Sequence, residues 1–171
     1  MEELKKVIRE IPDFPKKGIL FYDVTTLFTD KQAFGVAIDA LAHRYLNIRV
    51  DQILSVEARG FVVGAALAYR LGTGMILARK KGKLPWKTIG ETYSLEYGTD
   101  RVEIHTDAVK KGGRVLVVDD LLATGGTARA AATLVEKAGG KVVECAFIIE
   151  LLDLKGKKKL RPFKTFSLIQ Y

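Results

Sequence analysis

Short apolar runs alternate with longer amphipathic stretches along most of the chain. Gln52–Val56, Gly74–Ala78, Val115–Val118, Lys141–Glu150 and Thr165–Ile169 read as strands, because each is brief, β-branched or aliphatic, and bounded by turn formers. Glu2–Glu10, Lys31–Leu46, Phe61–Leu71 and Ala128–Ala138 carry the wider spacing of one-sided helices. Ser94–Glu96 and Val102–Thr106 read as the arms of a hairpin, with Tyr97-Gly98-Thr99-Asp100 as its turn. Ile11–Asp30 reads as loop-rich, with no strand in the first thirty residues. Strands that alternate with helices predict an α/β fold, with a mostly parallel central sheet flanked by helices on both faces.

The 171 residues are 48% hydrophobic, enough for one domain over 1–171 with a proper core. Neither an internal repeat nor a low-complexity linker divides the chain. The opening, Met1–Glu10, is charged rather than apolar, so no signal peptide is expected. No apolar run approaches the ~20 residues of a membrane span. Cys145 is the single cysteine and lies in an apolar run, which predicts a buried structural thiol and a cytoplasmic protein. Two histidines and one cysteine give no zinc constellation.

The net charge of +8 is clumped. Arg79–Lys87 holds five basic residues and no acid, with glycine and proline among them. It reads as a mobile loop able to close over phosphates, hinged at Gly82 and Gly90 if the loop runs on to Leu95. Lys155–Arg161 holds another five and reads as a solvated turn and helix. Clumps of this kind suit a small polyanion, and neither a nucleic acid nor a membrane is the expected partner.

The most informative segment is Val115–Thr127. An apolar strand is followed by two adjacent acids, Asp119 and Asp120, placed where the strand should end. The turn Ala123-Thr124-Gly125-Gly126-Thr127 then opens a helix. In open α/β sheets ligands bind beyond the carboxyl ends of strands. Glycines let backbone N–H groups approach an anion, and the helix N-terminus favours negative charge. Thr124 and Thr127 add hydroxyl donors. A phosphate cradle beside two acceptors for sugar hydroxyls fits a ribose phosphate. The segment lacks the Gly-Lys-Ser/Thr of a Walker A loop and the G-x-G-x-x-G of a dinucleotide fold.

Residues 115–127 resemble the phosphoribosyl pyrophosphate signature of the type I phosphoribosyltransferases. Further blocks resemble the adenine branch of that family: Ile11-Pro12-Asp13-Phe14-Pro15, Gly18-Ile19-Leu20-Phe21, Glu57-Ala58-Arg59-Gly60-Phe61, Arg79-Lys80-Lys81-Gly82-Lys83-Leu84-Pro85, Ser94-Leu95-Glu96-Tyr97-Gly98 and Ser167-Leu168-Ile169-Gln170-Tyr171. They follow the family order from about residue 8 to the end. The resemblance implies the type I phosphoribosyltransferase fold, with a small hood over about 1–30 and a flexible catalytic loop and hairpin over 79–106. It implies transfer of a phosphoribosyl group from 5-phosphoribosyl 1-pyrophosphate to adenine, giving AMP and pyrophosphate. Mg²⁺ would be held by substrate and water rather than directly by the protein, and the chain would form a homodimer.

By the same resemblance, Ala123, Thr124, Gly125, Gly126 and Thr127 take the 5′-phosphate, and Asp119 and Asp120 the ribose hydroxyls. Ala58, Arg59 and Gly60 form the pyrophosphate loop, while Leu20, Phe21, Leu151 and Arg59 frame the base. Arg79 and Lys83 are the loop cations, and Glu96 assists proton transfer at the base or stabilises the cationic sugar. One departure stands out: Tyr22 occupies a position where the family often carries Lys or Arg. Trp86 in the basic loop is also unusual, and either packs on the closed loop or is exposed. Two alternatives remain open at this level. One is a phosphoribosyltransferase for hypoxanthine, guanine or xanthine. The other is a non-catalytic sensor of phosphoribosyl pyrophosphate.

Overall fold

The computed structural model describes residues 1–94 and 98–171. A seven-stranded sheet forms the centre, in the order β5-β6-β4-β3-β7-β8-β9. Its strands are β3 (Gln52–Val56), β4 (Gly74–Lys80), β5 (Thr88–Ser94), β6 (Thr99–His105), β7 (Arg114–Leu122), β8 (Lys141–Glu150) and β9 (Thr165–Gln170). Strands β4, β3, β7, β8 and β9 run parallel, and β5 and β6 add an antiparallel hairpin at one edge. The α/β class expected from the alternating pattern is the one observed.

The period-two geometry of a strand sends successive side chains to opposite faces. Leu116 and Val118 therefore enter one core, and Val115 and Val117 the other. The first core is covered by α3 (Lys31–Tyr45) and α4 (Gly60–Leu71), and the second by α5 (Gly126–Lys137). Fully buried Leu41, Leu67 and Leu134 anchor these helices, each worth roughly 1.5–3 kcal/mol of apolar burial. The Asp30 carboxylate accepts from the N–H groups of Gln32 and Ala33 and so starts α3.

The N-terminal segment differs from its sequence reading. α1 is only Glu2–Val7, and Arg9–Pro12 (β1) pairs antiparallel with Leu20–Asp23 (β2), followed by α2 (Thr25–Thr29). The pair is illegible in the sequence because each strand is four residues long and has no buried residue and no clean alternation. A second difference is the basic loop. Arg79 and Lys80 end β4, and Thr88–Ser94 is a strand, so the irregular stretch shrinks to 81–87. Gly90 pairs with Glu103, and a Cβ there would meet the Arg101 guanidinium at 2.5 Å, so it serves close packing rather than hinging. The arm expected at Ser94–Glu96 meets β5 only at Ser94. Leu95, Glu96 and the expected turn residue Tyr97 lie outside the described residues, and Thr99 and Asp100 of that turn begin β6. A third difference is that β7 continues through Asp119 and Asp120 to Leu122.

Lys155–Arg161 forms a turn and a short helix, α6 (Gly156–Leu160), whose Leu160 is buried. Cys145 is buried inside β8, and burial pushes its thiol up to about 12. Among the described residues, no helix is long and apolar enough to cross a membrane.

Candidate active site

Strands β3 and β7 are neighbours, yet the chain leaves them in opposite directions. β3 continues through α4 to β4 on one side, and β7 continues through α5 to β8 on the other. The two helices cover opposite faces of the sheet. A crevice must open beyond the carboxyl ends of β3 and β7, the switch point at which α/β sheets bind ligands. A cavity of about 470 Å³ lies there. Its walls are Val56–Arg59 after β3, Asp119–Leu121 of β7, Ala123 and Thr127 of the following turn, and Ala78, Lys80, Tyr93, Asp100 and Val102 from β4 and the hairpin.

The two acids have different surroundings. Asp120 is 4% exposed and accepts from Arg59 Nε at 2.5 Å. Its own N–H donates to Asp119 Oδ1 at 2.9 Å. Burial, followed by the neighbouring charge of Asp120, pushes the Asp119 carboxyl well above the ordinary carboxylate range, and Arg59 counters this only in part. The turn after β3 can approach so closely because residue 60 is glycine: a Cβ there would lie 2.5 Å from Asp119 Oδ1. The Glu57–Ala58 peptide in this turn is cis.

Beside the acids is a recess of about 80 Å³, lined by Asp119 and Leu121–Ala128. Gly125 caps α5 in the left-handed region at φ 79°, a conformation that costs glycine little. The turn thereby faces the recess with the N-terminus of a twelve-residue helix, whose unpaired N–H groups and dipole favour an anion.

The structure brings Ala58, Arg59, Asp119, Asp120, Ala123 and Thr127 onto one cavity wall, with Thr124, Gly125 and Gly126 in the adjoining recess and Gly60 packed behind Asp119. Arg79 and Lys83 do not line this cavity. Arg79 Nε donates to Glu57 Oε2 at 2.8 Å, and its Nη1 donates to the Lys83 carbonyl at 3.0 Å. Arg79 thus braces the turn after β3. Leu20, Phe21 and Leu151 also stand away from the cavity walls. Leu20 is exposed, Phe21 meets Phe14 edge-on at 5.1 Å, and Leu151 packs against the first core. The field of Arg59 still reaches the end of β2, where Asp23 is held below its ordinary range, chiefly by hydrogen bonds from Thr25. Glu96 lies outside the described residues.

Sequence reasoning missed Lys80, Tyr93 and Asp100. Lys80 pairs with Asp100 at 3.2 Å, and the Tyr93 phenol donates to Asp100 at 3.4 Å. Only the antiparallel pairing of β6 with β4 and β5 places them here. The unusual Tyr22 also has a physical role, since its ring stacks on Tyr171 at 3.9 Å and 29° and ties β2 to the C-terminal residue. Trp86 is 55% exposed, with an edge contact to His105.

The sequence matches the family model of the phosphoribosyl transferase domain over residues 24–170. It is 60% identical over 171 residues to an adenine phosphoribosyltransferase of Syntrophotalea carbinolica, covering 100% of both chains. The chain belongs to the adenine phosphoribosyltransferase family. The adenine phosphoribosyltransferase crystal structure from Thermoanaerobacter pseudethanolicus is similar over 99% of each chain, with a TM-score of 0.96 and 54% identity. The Saccharomyces cerevisiae adenine phosphoribosyltransferase, solved with an iminoaltritol bisphosphate and adenine, covers 98% of this chain and 97% of its own, at TM-score 0.92 and 41% identity. Membership of the family makes the chain a transferase of phosphoribosyl groups.

Proposed function

We propose that the chain transfers the phosphoribosyl group of 5-phosphoribosyl 1-pyrophosphate to adenine, giving AMP and pyrophosphate. The observation that carries this reading is the meeting, in one cavity, of the acid pair Asp119–Asp120, the glycine-rich turn before α5 and Arg59. The 5′-phosphate sits in the recess at Ala123–Thr127. The ribose hydroxyls donate to the acids. The pyrophosphate lies over the turn Ala58-Arg59-Gly60. Adenine enters beneath the β1–β2 hairpin, which serves as the hood, against Leu20, Phe21 and Leu151.

In the reaction the bond from the anomeric carbon to pyrophosphate breaks, and a ring nitrogen of adenine forms the new bond. Positive charge develops on the sugar and negative charge on the leaving group. Fixed charges aimed at these positions, together with alignment of the two reactants, supply the rate enhancement. Asp119 and Asp120 hold the sugar and face its developing charge, and Arg59 steadies Asp120 beside the leaving group. Lys80 extends cationic charge along the same wall. Glu96 takes or relays the proton released from the base, and Lys83, in the irregular stretch 81–87, moves with the pyrophosphate while Arg79 braces the turn after β3.

A Mg²⁺ ion would arrive carried by the substrate rather than bind Asp119 or Asp120 directly, since Asp120 is paired with Arg59. Among the described residues no cluster of three or more His, Cys, Asp or Glu is placed to hold a metal ion, so substrate oxygens and water supply most of its ligands. When bound, it neutralises charge on the pyrophosphate. The chain works as a cytoplasmic homodimer. Its one cysteine is a buried thiol, and Val62, Tyr69 and Leu77 expose apolar surface on α4 and β4.

Incubation with phosphoribosyl pyrophosphate, Mg²⁺ and each free base in turn tests the assignment. Adenine should give AMP, with hypoxanthine and guanine far slower, because a site built for one hydrogen-bonding edge leaves buried groups unpaired with another. Equal turnover of adenine and guanine would overturn it.

A further inference from the structure

The turn Ala123–Thr127 contains no cationic side chain. Its donors are N–H groups, two hydroxyls and a helix N-terminus. A phosphomonoester dianion leaving water calls for full positive charge as well, and the structure brings one from a distant part of the sequence. The segment after β8 folds back over the turn. A Cβ at Gly125 would fall 2.6 Å from the Gly156 carbonyl oxygen, and one at Gly156 would collide with the Ala123 carbonyl and with Leu122. α6 is held in that place by buried Leu160, by the donation of Arg129 Nη1 to the Arg161 carbonyl at 2.7 Å, and by the Arg129 guanidinium over the Phe163 ring at 4.8 Å.

This docking aims one lysine at the cradle. A Cβ placed at Gly126 would lie 3.5 Å from Lys159 Nζ. The other nearby cation, Lys157, is committed to Glu150 at 2.6 Å. Among the described residues no carboxylate pairs with Lys159. We propose that Lys159 is a further phosphate-binding residue, whose ammonium binds the monoester at C5 of the ribose while the turn holds it from the other side. The basic run 155–161 is thus divided: Lys157 secures the fold, and Lys159 serves the ligand. The inference rests on the reading of Ala123–Thr127 as the 5′-phosphate site.

Calorimetric titration of ribose 5-phosphate, AMP, inorganic pyrophosphate and adenine into wild type, Lys159→Ala, Lys159→Arg and Lys158→Ala tests it. Lys159→Ala should weaken ribose 5-phosphate and AMP about tenfold, the scale of one charge-assisted hydrogen bond. Pyrophosphate and adenine should bind as in wild type. Lys159→Arg should recover most of the loss, exposed Lys158→Ala should change nothing, and the salt dependence of ribose 5-phosphate binding should flatten in Lys159→Ala. In turnover, the KM for phosphoribosyl pyrophosphate should rise with kcat unchanged. Wild-type affinity for ribose 5-phosphate in Lys159→Ala overturns the inference, and so does an equal loss of pyrophosphate binding. If wild type neither binds ribose 5-phosphate nor makes AMP, the site reading itself fails and the inference falls with it.

Discussion

Arg59 Nε donates to Asp120 Oδ2 at 2.5 Å, and this contact joins the turn after β3 to the carboxyl end of β7. The two segments are separated by some sixty residues of sequence, and a charged pair fixes their spacing. Asp120 is nearly buried and Arg59 is half-exposed. Arg59→Ala therefore strands a buried carboxylate, at a cost of about 2 kcal/mol once the exposure of the arginine is allowed for. Denaturant titration should show that loss, and kcat/KM for phosphoribosyl pyrophosphate should fall at least about tenfold. Unchanged kinetics would remove Arg59 and Asp120 from the site.

Asp119 gives the opposite balance between stability and function. Its folded pKa is raised, so the native state holds a proton that the unfolded chain has already released. Stability from this group is complete below the ordinary carboxylate range and is lost as pH rises through the raised value. Asp119→Asn should therefore raise Tm at pH 8, and the gain should vanish towards pH 4. The same variant should lose use of phosphoribosyl pyrophosphate, because a carboxyl oxygen placed for a ribose hydroxyl is replaced by an amide. A Tm difference independent of pH would contradict the burial argument.

Glu144 provides the reverse sign far from the site. It is buried, and it accepts from Arg44 Nε at 2.7 Å and Nη2 at 2.8 Å and from the Tyr45 hydroxyl at 2.8 Å. These hydrogen bonds hold its pKa low despite desolvation. Its contribution is present above the ordinary glutamate range and is lost as pH falls through the lowered value. Glu144→Gln should destabilise by about 2 kcal/mol at pH 7, with the difference closing in acid and AMP synthesis at room temperature unaffected. Thermal melts from pH 3 to 8 check this.

The stack of Tyr22 on Tyr171 fixes the hairpin that carries Leu20 and Phe21. Tyr22→Ala should raise the KM for adenine several-fold while leaving kcat and the KM for phosphoribosyl pyrophosphate near wild type, and Tyr22→Phe should restore it. The scale follows from an aromatic pair worth about 0.5–1.5 kcal/mol. Equal changes in both KM values would show that the hairpin does not serve the base.

Tyr69 is 90% exposed, in a stripe with Val62 on α4. Apolar side chains at this spacing mark a face awaiting a partner. Tyr69→Asp should convert the proposed dimer to monomer in light scattering. A monomeric wild type, or a dimer that tolerates the variant, would reject this face as the interface.

The pattern of the chain determined its layers. Gln52–Val56 and Lys141–Glu150 are legible to the residue because a strand buried on both faces carries a mostly apolar run. The glycine-rich turn and the acid pair could be found in the sequence because they are contiguous and local chemistry alone describes them. Tertiary structure decided the rest. The short pair β1–β2 carries no periodic signal, and it is tied down by the packing of Tyr22 against a residue 149 positions away. Tyr93 and Asp100 enter the cavity through antiparallel register and Lys80 from the end of β4, and Arg79 leaves the role of a free loop cation because Glu57 captures it. Lys159 reaches Gly126 only because α6 docks on the turn. Short-range propensity writes strands and turns into a sequence, whereas the partner of a charge is fixed by the fold that brings distant segments together.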